Sequence, residues 1–408
     1  MGLFSPNVRV EHRTGILPSQ EIRELIRNGK IVSSVPIGDD QVQPASIDLR
    51  LGNVAHRIQA SFLPGRSSPV SSKIKDLKLA ELDLTKPALL ERGAVFIVPV
   101  VESLSLPRDI GGKANPKSTT GRLDIFTRLI TDGGWEFEQV PRGYSGNLYI
   151  EIVSRTFPIV LTAGVKLNQL RFVRGNPPST DGILEQLARR EHLVYYENGG
   201  GPERASVERG VGKPSDQEEA SSRAVIDRGL RTTIDLAGPR SGISAYKAKK
   251  NAPPVDLTKV GAYEVADFWE SIQSPSSGRL VLNPGDFYLL GSRERFRIPP
   301  TFAAEMEQYD PSMGDFSIHY AGFFDPGFGY GREGEIKGTK GVLEVRAHEV
   351  PILLEDEQTV GRLVYHKMAD VPEKLYGQAI GSSYQQQGLA LPKQFRTAPR
   401  VELVATTT

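Results

Sequence analysis

The chain repeats itself. Gly93–Pro107 (GAVFIVPVVESLSLP) recurs as Gly285–Pro299 (GDFYLLGSRERFRIP), 192 residues later, and Tyr149–Leu161 (YIEIVSRTFPIVL) recurs as Val342–Leu354 (VLEVRAHEVPILL), 193 later. Thr131-Asp132-Gly133-Gly134 lies over Phe324-Asp325-Pro326-Gly327 at that same spacing of 193, and Ser46–Leu49 (SIDL) faces Thr233–Leu236 (TIDL) at 187. Blocks kept in one order at nearly one spacing indicate a duplicated unit, so whatever fold the first half takes the second must also take.

Each copy reads as short apolar or alternating strands, such as Val95–Val98 and Phe287–Leu290, separated by turns rich in Gly, Pro and Asp. No long 3.6-residue periodicity recurs between them, which argues against a parallel βαβ sheet. A barrel or jelly roll would protect the strand edges. The expected fold class is therefore mainly β, two tandem barrels with a few short helices. One helix is expected from an N-cap at Ser19, with Ile22, Leu25 and Ile26 on one face and an end near Asn28-Gly29; a second is expected over Gly182–Arg190.

With 408 residues there is room for two domains. Residues 198–222 are rich in Gly, Pro and charge and poor in large apolar side chains, as in a linker. The expected division is a tail at 1–14, a first unit at 15–197, a linker at 198–224 and a second unit at 225–408.

Fifty Lys+Arg against 49 Asp+Glu leave a net charge of +1, which argues against coating nucleic acid or an anionic membrane. The absence of cysteine excludes disulfides and thiolate zinc sites and suits a reducing cytoplasm. The N-terminus lacks the apolar stretch of a signal peptide, and no apolar run approaches the ~18 residues of a membrane span.

The six histidines (His12, His56, His192, His319, His348, His366) are scattered, with no HxxxH or HxH pair, so catalytic zinc is not expected. There is no GxxxxGK[ST] loop, and GYGREG at 329–334 reads as a glycine-rich turn rather than a dinucleotide site. The positive signals are two. Lys117-Ser118-Thr119-Thr120-Gly121-Arg122 offers hydroxyls and a guanidinium suited to a phosphate chain. Glu344 and Asp325 in the second copy, with Glu151 and Asp132 in the first, supply carboxylates; Glu344 between Leu343 and Val345 points to the opposite face from both. Facing a cavity, such a carboxyl is desolvated and poised for proton transfer. Opposite Ser118 and Arg122 the second copy has Pro311 and Asp315, and only the second copy has a Tyr- and Gln-rich tail at 375–388. This complementary loss predicts one site built from both copies.

Gln43–Gly52 (QPASIDLRLG), the STTGR cluster, Tyr144–Glu151 (YSGNLYIE) and the closing Tyr384–Gly388 (YQQQG) resemble the dCTP deaminase family of the deaminase/dUTPase superfamily, in its long duplicated form. The resemblance implies dUTPase-like distorted barrels of the β-clip type, a homo-oligomer, usually a trimer, and sites shared between barrels. It implies zinc-independent hydrolysis of dCTP to dUTP and ammonia, with Mg²⁺ carried on the triphosphate. Carried over, the family's phosphate motif falls on Ser118 and Arg122, with Thr119 and Thr120 between them. The catalytic carboxylate falls on Glu344, with Glu151 its counterpart, and the acid of the Asp-Pro-Gly turn on Asp325. Backbone near Ala321 would hold the pyrimidine, and Tyr376 and Gln386 would close the site. Asp325 and Glu344 are nineteen residues apart where the short form has about ten, so an extra hairpin is expected between them; an alternative alignment puts Pro141 at the acid's place in the first copy. Two other activities fit the same residues, a dUTP diphosphatase or bifunctional enzyme and a non-catalytic nucleotide-binding oligomer.

Overall fold

In a computed structural model, residues 13–66, 68–196, 224–238, 242–307, 316–319, 322–377, 384–385 and 387–396 are described. The predicted duplication is visible strand for strand. One sheet of the first half orders its strands Lys78–Asp83, Val54–Ile58, Val95–Ser105, Ser145–Ser154 and Ile125–Thr131; one of the second half orders them Trp269–Gln273, Ile243–Ala248, Tyr288–Phe296, Thr339–Ala347 and Phe316–His319. A second pair of sheets matches likewise, Lys166–Arg174, Ile110–Pro116 and Gln139–Val140 against Thr359–Lys367, Phe302–Met306 and Phe323–Phe324. The architecture is mainly β with a few short helices.

Register corrects three readings. Ile47 pairs with Leu170, and Leu230 pairs with Leu363, so the counterpart of Ile47 is Leu230 and the SIDL/TIDL match is displaced by four residues. The true equivalence carries its own signature: Glu102 accepts the backbone N–H of Arg50, and Glu294 accepts that of Thr233. Next, Gln139 pairs with Lys113 and Phe323 with Glu305, so the residue in Asp325's place is Pro141, not Asp132. Asp132 instead accepts the backbone N–H of Val70 at the start of a helix. Finally, residues 326–338 form a run of turns closed by Gly338 N–H to Gly329 O at 3.0 Å, not a hairpin; with its many glycines the segment lacks the alternating side chains a strand pair needs.

The first expected helix is Ser19–Arg27, with Pro18 rather than Ser19 in the cap position, Ile22 and Leu25 buried, and Gly29 turning the chain out at φ 64°. The second is Asp181–Arg190, its Thr180 hydroxyl accepting the N–H of Ile183. That helix and the strand Val194–Tyr195 pack and pair in the second half, with Val194 on Phe296 just as Ile31 lies on Leu104 in the first. The boundary expected at 197 therefore moves to before 181, because each copy begins with a helix and a short strand. Most of the expected linker lies outside the described residues.

The halves are not cored separately. Val255, Phe268, Trp269, Phe287 and Phe395 join the apolar core of the first half, and Ile159 pairs in parallel with Val255. Among the described residues no helix is long and apolar enough to cross a membrane.

Candidate active site

The STTGR cluster closes into one turn of helix, Ser118–Arg122, at the end of strand Ile110–Pro116. Its three hydroxyls have different fates. Ser118 lines the cavities described below. Thr119 shares a 2.8 Å hydrogen bond with the Tyr384 hydroxyl, and Thr120, which borders the larger cavity, is buried and donates to Leu167 O at 2.9 Å. Arg122 is only 3% exposed; its Nη1 donates to Gln387 Oε1 (3.0 Å) and Ala390 O (2.9 Å), and its guanidinium lies 3.8 Å from the Tyr384 ring centroid.

Two adjoining cavities meet here. The larger, of about 500 Å³, runs between Asp48, Lys117 and Gln169 of the first half, Phe323 and Asp325 of the second, and the C-terminal segment. The smaller, of about 50 Å³, is enclosed by Arg122, Phe324, Phe328, Leu343, Glu344 and Gln387. Ser118, Phe323, Tyr376 and Tyr384 border both. Arg122 and Glu344, predicted to be pooled from opposite copies, thus face one enclosure.

Glu344 is buried, and desolvation pushes its carboxyl up to about 8; Asp124 adds to the rise, while the Arg122 charge opposes it. A carboxyl poised near neutrality can both give and take a proton. Glu151, its counterpart, is equally buried but lies across from Arg128 in the neighbouring strand, which bonds Oε1 at 3.0 Å through Nε and 2.5 Å through Nη2. Phe137 stacks on that guanidinium, 3.6 Å away. The structure therefore gives Glu151 an ion-pair partner instead of an open cavity.

Asp325 is buried at the foot of the larger cavity; burial raises its pKa against the pull of Arg171, 3.3 Å away. Its turn needs glycine at 327, where φ is 94° and a Cβ would stand 2.9 Å from both Leu375 Cβ and Tyr376 N. Tyr376 donates its N–H to Pro326 O at 2.8 Å and packs on Phe328 at 5.3 Å between centroids. Ala321 and Gln386 lie outside the described residues. Sequence reasoning missed Tyr384 as the ring over Arg122 and Gln387 as the amide bonded to it; the YQQQG run marked the neighbourhood without distinguishing its glutamines.

Two residues beyond Arg122 and Glu344 the halves are tied together. Arg346 donates to Asp124 and, at 3.0 Å, to Thr156 Oγ1; both charged groups are buried. Asp124 holds a left-handed φ of 56°, uncommon for a non-glycine residue. The pair links the segment just after the Ser118–Arg122 helix to the strand that carries Glu344.

Among the described residues no cluster of three or more His, Asp or Glu could cage a metal ion. The carboxylates of the larger cavity are committed: Asp48 to Lys117 at 2.5 Å, Asp40 to Lys166 at 2.5 Å, and Asp325 to Arg171. The wall therefore does not fit a protein-held Mg²⁺.

Residues 13–176 match the family model of the 2'-deoxycytidine 5'-triphosphate deaminase N-terminal domain, and residues 212–395 that of its C-terminal domain. The crystal structure of 2'-deoxycytidine 5'-triphosphate deaminase from Agrobacterium tumefaciens is 44% identical, with a TM-score of 0.77 over 88% of this chain and 100% of that one. The "dCTP deaminase, dUMP-forming" of Nanoarchaeum equitans is 32% identical over 184 residues, 41% of this chain and 87% of its own length. The protein of that description from Streptomyces coelicolor is 30% identical over 165 residues, 40% and 82% respectively.

Proposed function

The chain belongs to the dCTP deaminase family, and from that premise we propose that it deaminates dCTP to dUTP and ammonia in the enclosure between its two copies, with Glu344 moving the protons. The observation that carries this reading is the convergence on one cavity of Arg122 from one copy and, from the other, a desolvated Glu344 with no ion-pair partner among the described residues. At neutral pH a carboxyl poised near 8 starts protonated. It gives its proton to N3 of cytosine, which makes C4 electrophilic. The resulting carboxylate takes a proton from the attacking water and passes it to the amino group, which leaves as ammonia as the C4 hydroxyl returns its proton to Glu344. N3 keeps its hydrogen, C4 becomes a carbonyl, and the enzyme is restored.

In this reading backbone groups at Gly322–Phe324 meet the pyrimidine edge, Ser118, Thr119 and Arg122 the phosphates, and Asp325 the sugar; all of the side chains named border one or both cavities. Tyr376, Tyr384 and Gln387 cover them and exclude water. Thr120, pinned to Leu167, acts on the helix turn rather than on substrate. Mg²⁺ enters only as the counter-ion of the triphosphate. Closure of each copy's larger sheets as a distorted barrel, and assembly into a homotrimer, belong to the same proposal.

A second reading is favoured by the dUMP-forming description of the curated relatives: deamination followed by loss of pyrophosphate. Incubation with Mg²⁺ and dCTP, resolving ammonia, dUTP, dUMP and pyrophosphate, separates the two. Ammonia with dUTP supports the first, dUMP with pyrophosphate supports the second, and no ammonia contradicts both. Arg122→Ala should raise KM for dCTP far more than for deoxycytidine; equal effects would remove its phosphate role.

A further inference from the structure

The two copies also meet through a second buried charge pair. Arg171, on the strand Lys166–Arg174 of the first copy, is 2% exposed, and Asp325 of the second is 7% exposed. The guanidinium donates through Nη2 to Asp325 Oδ1 at 3.3 Å and to Phe324 O at 3.4 Å, and through Nη1 to Ala304 O at 3.2 Å. It also lies 3.9 Å from the Phe323 ring centroid. All of these partners belong to the second copy. Asp325 borders the larger cavity, whereas Arg171 borders a different one of about 490 Å³, lined also by Lys113, Glu305 and His366, with Phe323 on the wall of both. Arg171 thus stands behind Asp325 and Phe323 rather than in the nucleotide enclosure. The duplication offers an internal comparison. Arg171 pairs with Lys113, and Val364 pairs with Glu305, the counterpart of Lys113, so Val364 holds the place of Arg171 in the second copy, as Pro141 holds that of Asp325 in the first. Arginine and acid are thus both replaced by apolar residues in the opposite copies.

A carboxyl buried at the foot of a cavity is a strong acceptor only while it is ionised and held in one orientation. Resting on the deaminase reading, we infer that Arg171 is a positioning residue: it reaches across from the first copy and holds the Asp325 carboxylate as acceptor for the sugar hydroxyl of the nucleotide. A deoxyribose that carries its phosphates on C5′ has one free hydroxyl, on C3′, so that is the group concerned. Burial pushes Asp325 toward its neutral form; Arg171 supplies the strongest opposing pull, Lys117 a weaker one, and Asp48 adds to the rise. Glu305, the other carboxylate that acts on Arg171, is itself bonded to Lys113 at 2.5 Å. Without the guanidinium Asp325 loses its main counter-charge, takes up a proton and is free to turn.

The test measures KM for dCTP and for its dideoxy analogue, which lacks that hydroxyl, in the full chain and in its Arg171→Met and Arg171→Lys variants. Arg171→Met should raise KM for dCTP about 10- to 100-fold with a smaller change in kcat, and leave KM for the dideoxy analogue little changed. Arg171→Lys, which keeps the charge, should recover part of the loss. Because a lone buried charge costs stability, Asp325→Asn is also compared with the double variant Asp325→Asn, Arg171→Met, in which both charges are gone. If Arg171 acts through Asp325, the second substitution should raise KM for dCTP no further. An unchanged KM for dCTP, an equal rise for both nucleotides, or a full further rise on top of Asp325→Asn would overturn the inference. Failure of the deaminase reading looks different: the unaltered chain would release no ammonia from dCTP. Calorimetry with the two nucleotides would then still show whether Arg171 discriminates between them.

Discussion

Glu151 and Glu344 occupy one position on one strand of two copies of the same fold, Glu151 pairing with Ile97 and Glu344 with Leu289, and they meet opposite surroundings. Both are buried. In the first copy Arg128 neutralises the carboxylate, and Phe126 and Phe137 flank the guanidinium. In the second the opposite charge that acts on it, Arg122, comes from the other copy and leaves the carboxyl raised. Burial alone therefore does not single out a candidate for proton transfer. What distinguishes the two is whether the counter-charge stands in the neighbouring strand or across a cavity that can admit a substrate.

The largest expected effect separates the twins directly. Glu344→Gln should lower kcat for ammonia release by about 10³-fold, whereas Glu151→Gln should leave kcat near its original value while costing about 1–3 kcal/mol of stability through the broken pair with Arg128. Comparable losses of activity in both would erase the distinction. Next in size is the tie behind the site. Arg346→Met should reduce kcat about 10- to 100-fold with a smaller change in KM, because it loosens Arg122 against Glu344 without touching substrate; charge exchange, Asp124→Arg with Arg346→Asp, should recover part of the loss. A rise in KM alone would make the pair a binding feature.

The pH dependence sharpens the comparison further. Glu344 holds its proton in the folded chain up to about 8, whereas an unfolded glutamate loses it near 4.5. Its relative contribution to stability is thus fully present below 4.5 and fades as pH rises through 8. Glu344→Gln should accordingly melt at a progressively higher temperature than the unaltered chain between pH 5 and pH 8.5; a constant difference across that range would contradict it. The smallest effect belongs to Thr120→Val, expected to lose about 1 kcal/mol with KM for dCTP unchanged, since its hydroxyl serves Leu167 O. A large rise in KM would put that hydroxyl on the phosphates.

The duplication and the meeting of Arg122 and Glu344 at one cavity were legible because they rest on residue identity at fixed spacing. Register was not. SIDL and TIDL look alike, yet pairing is decided by partners more than a hundred residues away, and each strand's bulge, at Lys166/Asn168 and at Thr232/Thr233, absorbs a residue that spacing cannot reveal. Arg128 opposite Glu151 was hidden for the same reason. The start of the second copy was obscured because its opening helix precedes the polar stretch that resembles a linker. Gln387 and Lys393 lie in a segment without periodicity, where only the fold shows which side chain meets Arg122 and which faces the cavity.

If one nucleotide site is assembled from unlike halves of a duplicated chain, a crystal structure of the Glu344→Gln variant with dCTP should show cytosine against residue 344, phosphates against Ser118 and Arg122, and no nucleotide beside Glu151. Cytosine bound at Glu151, or phosphates held away from Arg122, would contradict it.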